Sequence, residues 1–154
     1  MTRPEMIRSY LEKLLAEGFG QPILPDQDGD YPLRGDGSFY ARLVEGRANA
    51  PAVVQIFAVA VRDIAVTPEL LAAINELNTN IAYARVFHVR DQVLVETDLV
   101  AETIEPQQVG VSCNVVGTIA AVWGPRLSQQ FGGTSPFAQL PPEEVPERGP
   151  AGYL

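Results

Sequence analysis

Between Pro106 and Phe131 this chain carries one charged side chain, Arg126. A helix of that length normally keeps one face in water, and this one has no such face to offer. Val109, Cys113, Val116, Ala120, Trp123, Leu127 and Phe131 recur at steps of three and four, and Val111, Val115, Thr118 and Val122 form a second stripe. The first stripe suits a sheet of the protein's own. The second is left over and wants another partner. Gly124-Pro125 is expected to bend or restart the helix, because proline removes a donor and collides with the preceding turn.

The rest of the chain must supply that sheet. Thr2 and Glu5 have the form of a capping box, and Met6, Ile7, Tyr10, Leu11, Leu14 and Leu15 at helical spacing predict a first helix over about residues 3–17, capped by Gly18. Gly20 to Asp30 is dense in turn residues. Tyr31 to Arg34, Ser38 to Glu45 and Ala52 to Val61 then read as an antiparallel meander, the last strand almost uncharged and suited to the middle of a sheet. Thr67-Pro68-Glu69 starts a second helix that Asn78-Thr79-Asn80 ends. Tyr83 to Val89 and Val93 to Val100 form a hairpin around Arg90-Asp91-Gln92. The fold class is therefore α+β, an antiparallel sheet of about five strands flanked by helices in the order α-β-β-β-α-β-β-α. Neither a repeat nor an internal domain boundary breaks residues 1–133. From Thr134 to the last residue five prolines mark an extended tail.

A chain of 154 residues, nearly half of them apolar, can bury one good core. Its formal charge of −8, with a single lysine among its basic residues, excludes a stripe able to displace counterions from a phosphate backbone, so no nucleic-acid partner is expected. No apolar run reaches the ~20 residues that cross a bilayer, and the first residues lack the pattern of a signal peptide, which points to a cytoplasmic protein without membrane contact. One cysteine, Cys113, builds neither a disulfide framework nor a zinc cluster.

Candidate sites for chemistry are weak. Asp26, Asp28, Asp30 and Asp36 cluster among glycines, but Tyr31 stands where a calcium loop needs its turning glycine, so they read as polar turns. Arg34-Gly35-Asp36, an adhesion tripeptide by letters, reads as a turn as well. His88 is the only histidine, Ser112 lies within a helix and not on a strand-to-helix elbow, and Cys113 on an apolar stripe is a small buried hydrophobe. Trp123 suits the core or a subunit contact better than a ligand. No catalytic residue, metal or cofactor is expected.

Glu69-Leu70-Leu71-Ala72-Ala73-Ile74-Asn75-Glu76-Leu77-Asn78, Arg85-Val86-Phe87, Val93 to Leu99 and Phe131-Gly132-Gly133 resemble, in this order, the actinobacterial YbjN-like family, itself similar to type III secretion chaperones. The resemblance covers residues 3 to 133. It implies a non-enzymatic, chaperone-like module that binds a protein or peptide client, often as a homodimer. A regulatory subunit of a larger assembly is one alternative, and a small-ligand-binding protein or small enzyme using Arg85, His88 or Asp98 is another. The interaction surface expected from the leftover stripe and the tail is Val111, Val115, Thr118, Val122, Phe137 and Leu140.

Overall fold

The computed structural model describes residues 1–138. Its elements are α1 (Arg3–Phe19), β1 (Tyr31–Pro32), β2 (Phe39–Val44), β3 (Val53–Val61), α2 (Pro68–Asn80), β4 (Arg85–Val89), β5 (Gln92–Val100), a short 3-10 turn (Ala101–Thr103) and α3 (Pro106–Phe131). The strands form one antiparallel sheet in the spatial order β1-β2-β3-β5-β4, so the α+β class and the element order are those read from the sequence. By compactness the chain divides into two units. The first takes Met1–Ile56 and Asp98–Cys113; the second takes Phe57–Thr97 and the chain from Asn114 onward.

In the first unit the capping box forms as expected. Thr2 N–H donates to Glu5 Oε2 at 2.6 Å, and Glu5 N–H donates to Thr2 Oγ1 at 3.4 Å. The helix stops later than Gly18, at Gly20, whose φ of 71° takes the left-handed cap. Its buried stripe is also narrower than the spacing implied. Leu11, Leu14 and Leu15 are buried, while Met6 and Tyr10, on the flank of the stripe, are exposed. Arg8 and Glu12, one turn apart, hold the buried Tyr31 of β1 from both sides of its hydroxyl. Tyr31 donates to Glu12 Oε1 at 2.7 Å and accepts from Arg8 at 3.0 Å. Burial and the Glu12 bond together push the phenol pKa up, more than Arg8 pulls it down.

In the second unit the hairpin register pairs Val89 with Gln92 across the two-residue turn Arg90-Asp91, both residues at positive φ, the backbone of a type I′ turn. Leu70, Ile74 and Leu77 are the buried stripe of α2. The helix α3 runs unbroken through Pro125 instead of restarting there. Proline removes one backbone bond and crowds the preceding turn, and burial of Ala121, Val122 and Leu127 on both flanks holds the helix together over it. Gly124 has a separate reason: a Cβ there would lie 2.5 Å from the Ala60 carbonyl oxygen and 2.7 Å from Ser135 Oγ. After α3, Gly132 and Gly133 both adopt positive φ, and the chain turns back so that Arg62 and Thr134 exchange two backbone bonds of 2.8 Å. The Phe-Gly-Gly stop is thus a structural corner.

Candidate functional site

Two adjoining clefts of the first unit are built around the start of α1. Arg3, Ile7 and Glu102 line both. One cleft, of about 300 Å³, extends over Pro4, Leu43, Pro51 and Ala52; the other, of about 270 Å³, extends over Met6, Tyr10 and Ala101. Local rules explain why apolar groups stand open here. Pro4, near the helix N-terminus where its missing N–H costs no helix bond, begins α1 without closing over it, and Met6 and Tyr10 are one turn apart on the same flank. Arg3 and Glu102 pair at 2.6 Å on the rim, with both side chains largely in water. The arrangement offers apolar seats with polar edges and no convergent set of catalytic groups. In the first unit the acids outnumber the basic residues, whereas in the described part of the second the two nearly balance.

A third cleft, of about 330 Å³, lies within the second unit between α2 and the end of α3, lined by Ala73, Leu77, Trp123 and Leu127 with Glu76 and Arg126 at its edges. The Arg126 guanidinium stands 4.9 Å over the Trp123 ring. The indole nitrogen of Trp123 is buried without a hydrogen-bond partner.

Most of the stripe expected to be left over is covered by the folded chain. Val115 is fully buried, Thr118, Val122 and Phe137 nearly so, and Val111 is half-buried. Leu140, and the tail beyond it, lie outside the described residues. The physical reason is that both stripes of α3 are largely covered, and the face it leaves in water is made of uncharged polar side chains, Gln107, Gln108, Asn114, Gln129 and Gln130, together with Arg126. Exposed apolar groups stand elsewhere, Leu24, Val66 and Leu71 among them, and on the flank of α1 they are Met6 and Tyr10, whose spacing reads as core by periodicity alone.

The sequence's chemical candidates are occupied locally. Asp26 Oδ1 accepts from the N–H groups of Asp28 and Asp30, Asp30 takes both hydrogen bonds of Arg42 at 2.9 and 2.7 Å, and Arg34 and Asp36 pair at 3.2 Å. Among the described residues no group of three or more acids, histidines or cysteines is placed to hold a metal ion. His88 Nε2 bonds the Ile64 carbonyl at 2.8 Å. Arg85 pairs with Glu96 directly across the hairpin. Ser112 Oγ donates back to the Gln108 carbonyl within its helix, and burial pushes the Cys113 thiol up to about 11, so it stays protonated and unreactive at neutral pH. No described helix is long and apolar enough to cross a membrane.

An antiparallel sheet with three helices in the order α-β-β-β-α-β-β-α is the fold of a class of chaperones. The chain belongs to the TY-Chap1 family, "T3SS (YopN, CesT) and YbjN peptide-binding chaperone 1", whose family model matches residues 5–139. It is a peptide-binding, chaperone-like protein. Among solved structures, a chain of "Structure of the HopA1-SchA Chaperone-Effector Complex" shares the fold with a TM-score of 0.54 at 12% identity, over 84% of this chain and 98% of that one. No curated protein matches the sequence.

Proposed function

We propose that this protein binds an extended client segment by seating large apolar side chains in the two clefts at the start of α1, and that it does so without catalysing a reaction. The observation that supports this most is the exposure of Met6 and Tyr10 beside a shared floor of Ile7. The acid excess of that unit favours a client with basic residues flanking its apolar ones. The working form is a cytoplasmic homodimer whose contact includes α2, where Leu71 is exposed, and the domain expected over residues 1–133 extends over 134–138, which the Thr134–Arg62 pair and the buried Phe137 hold to it. The leftover-stripe surface remains part of the reading only through Val111 and Leu140, since the other four side chains are enclosed.

The test begins with a phage-displayed peptide library selected on the whole protein. Calorimetry with an enriched peptide should give at least tenfold weaker binding for Met6→Glu and Tyr10→Glu, whose exposure leaves the melting temperature unchanged. Equal affinity in both variants would place the client elsewhere. Sedimentation of Leu71→Glu at tens of micromolar, an ordinary range for such interfaces, should show monomer where the parent shows dimer.

A further inference from the structure

Among the described residues, the strand β4 lies at one edge of the sheet and pairs only with β5. In a hairpin closed by a two-residue turn, the pair next to the turn shares hydrogen bonds and the bonding then alternates. With Val89 opposite Gln92, the residues bonded to β5 are Val89, Phe87 and Arg85, and the backbone groups of Val86 and His88 point out of the sheet. An edge of this kind accepts a further strand from any chain that can extend, whatever its side chains.

At Val86 that edge is already answered. Asn78, on the flank of α2 beside the buried Leu77, turns its side-chain amide onto the strand: Val86 N–H donates to Asn78 Oδ1 at 2.9 Å, and Asn78 Nδ2 donates to the Val86 carbonyl at 2.8 Å. One donor and one acceptor given to both backbone groups of a single residue is what a neighbouring antiparallel strand supplies. The amide is a one-residue copy of that strand. Anything that replaces it must bring one N–H and one carbonyl in the same plane, which is the chemistry of an extended peptide backbone.

We propose that Asn78 is a specificity-determining residue: it closes the β4 edge to strand addition, so that extended peptides are chosen by their side chains and not taken up through backbone pairing alone. The proposal rests on the peptide-binding reading above, but concerns a different part of the molecule. A protein that handles extended segments is the kind most exposed to sequence-blind pairing at an open edge. Asn78 removes that mode at Val86, one of the two residues of the strand whose backbone groups face outward. Asparagine is suited to the task because it carries both halves of an amide, whereas aspartate offers only acceptors and would face the Val86 carbonyl with a carboxylate.

The probe is a synthetic peptide of alternating Thr and Val flanked by lysines, with an analogue N-methylated at every second residue, which cannot pair as a strand on that side. Asn78→Ala should bind the unmethylated peptide at least tenfold more tightly than the parent protein, and should lose that gain with the methylated analogue. In the parent, hydrogen exchange at the Val86 amide should be slow, and in Asn78→Ala it should be at least tenfold faster until the peptide restores it. Equal binding by parent and variant overturns the proposal, as does a gain that survives N-methylation. New self-association of the variant that the peptide does not compete away also overturns it, because the edge would then select a second copy. Should Asn78→Ala fail to fold, Asn78→Asp, which keeps the acceptor for the Val86 N–H and loses the donor to its carbonyl, is read by peptide binding alone: a gain that N-methylation abolishes is expected, and equal binding overturns the proposal. Binding through Met6 and Tyr10 is measured separately with the library peptide, so loss of the cleft reading and loss of this one give different results.

Discussion

The two units of the chain make their turns with different residues. In the first, the positive-φ positions among the described residues are all glycine: Gly20, Gly29 and Gly37. The second uses Gly132 and Gly133 in the same way, but there Asp63, Tyr83, Arg90 and Asp91 also hold positive φ with full side chains. A left-handed backbone costs a non-glycine residue roughly 1–2 kcal/mol, so those four conformations must be imposed by their surroundings. The ties are visible. Thr97 Oγ1 donates to the Tyr83 carbonyl at 2.8 Å, Ile64 N–H donates to the Asp91 carbonyl at 3.0 Å, and the His88 ring bonds Ile64 from the other side. Side chains stand in for backbone partners here, as Asn78 does at Val86. The first unit ties its loops with charge as well as with side-chain-to-backbone bonds from Asp26, through Arg42 to Asp30, Arg34 to Asp36 and Arg3 to Glu102. Local strain is carried in the second unit, at turns that side chains tie down.

The largest effect that separates the units is expected at two helix glycines. Gly124→Ala in the second should cost about 3 kcal/mol, since the new Cβ meets the Ala60 carbonyl at 2.5 Å and neither backbone can give way cheaply. Gly110→Ala in the first should stabilise by about 0.5–1 kcal/mol, because nothing stands within 4 Å of its Cβ and alanine favours a helix. Urea denaturation of the two variants checks this. Two changes of the same sign would erase the contrast.

Next comes Cys113, whose folded-state pKa of about 11 stands above the ordinary 9.0 because of burial. Below pH 9 the thiol is protonated in both states and stability does not depend on it. Between pH 9 and 11 the unfolded chain ionises first and stability falls, by about 2 kcal/mol at the upper end. Cys113→Ala should flatten that part of the stability curve, and an unchanged slope in the variant would show the thiol to be solvated.

Much of this contrast was legible before the structure. Thr2 with Glu5, Thr67-Pro68, and the hairpin around Arg90 are local signals, and local geometry alone decides them. Burial of α3 on both stripes was not legible in the same way, because periodicity reports that a face is apolar and not what covers it; Val115 and Val122 read as surplus and are core. The reverse error befell Met6 and Tyr10, which share the spacing of Leu14 and differ only in lying on the flank where α1 is left uncovered. By its sequence position Asn78 reads as a helix terminator. Its second role depends on a strand eight residues further on, and no helical spacing encodes that distance.

A smaller effect tests the charged fastening of the first unit. Arg42→Ala should cost about 0.5–1 kcal/mol, since Asp30 is mostly covered but Arg42 is half in water and the pair is partly screened. The cost should shrink in 1 M NaCl, where the Debye length is about 3 Å. Asn78→Ala, measured alongside, should show no such salt dependence, because its bonds join neutral groups.

The smallest expected change is a gain, at the turn where the second unit holds two left-handed residues side by side. Arg90 and Asp91 have φ of 49° and 58°, and a type I′ turn accepts Asn-Gly there with little strain. Two terms oppose each other in the double substitution Arg90→Asn, Asp91→Gly. Relief of the left-handed backbone at position 91 returns roughly 1–2 kcal/mol, while glycine widens the unfolded ensemble and takes back about 0.5–1 kcal/mol. The net stabilisation should be about 0.5 kcal/mol, read as a higher urea midpoint at an unchanged slope. The bond from Ile64 N–H survives because it reaches the Asp91 carbonyl and not its side chain. Were the midpoint to fall, the side chains of Arg90 and Asp91 would be contributing more than their backbone strain costs, and the second unit would owe its tightness to them as well as to the ties around the turn.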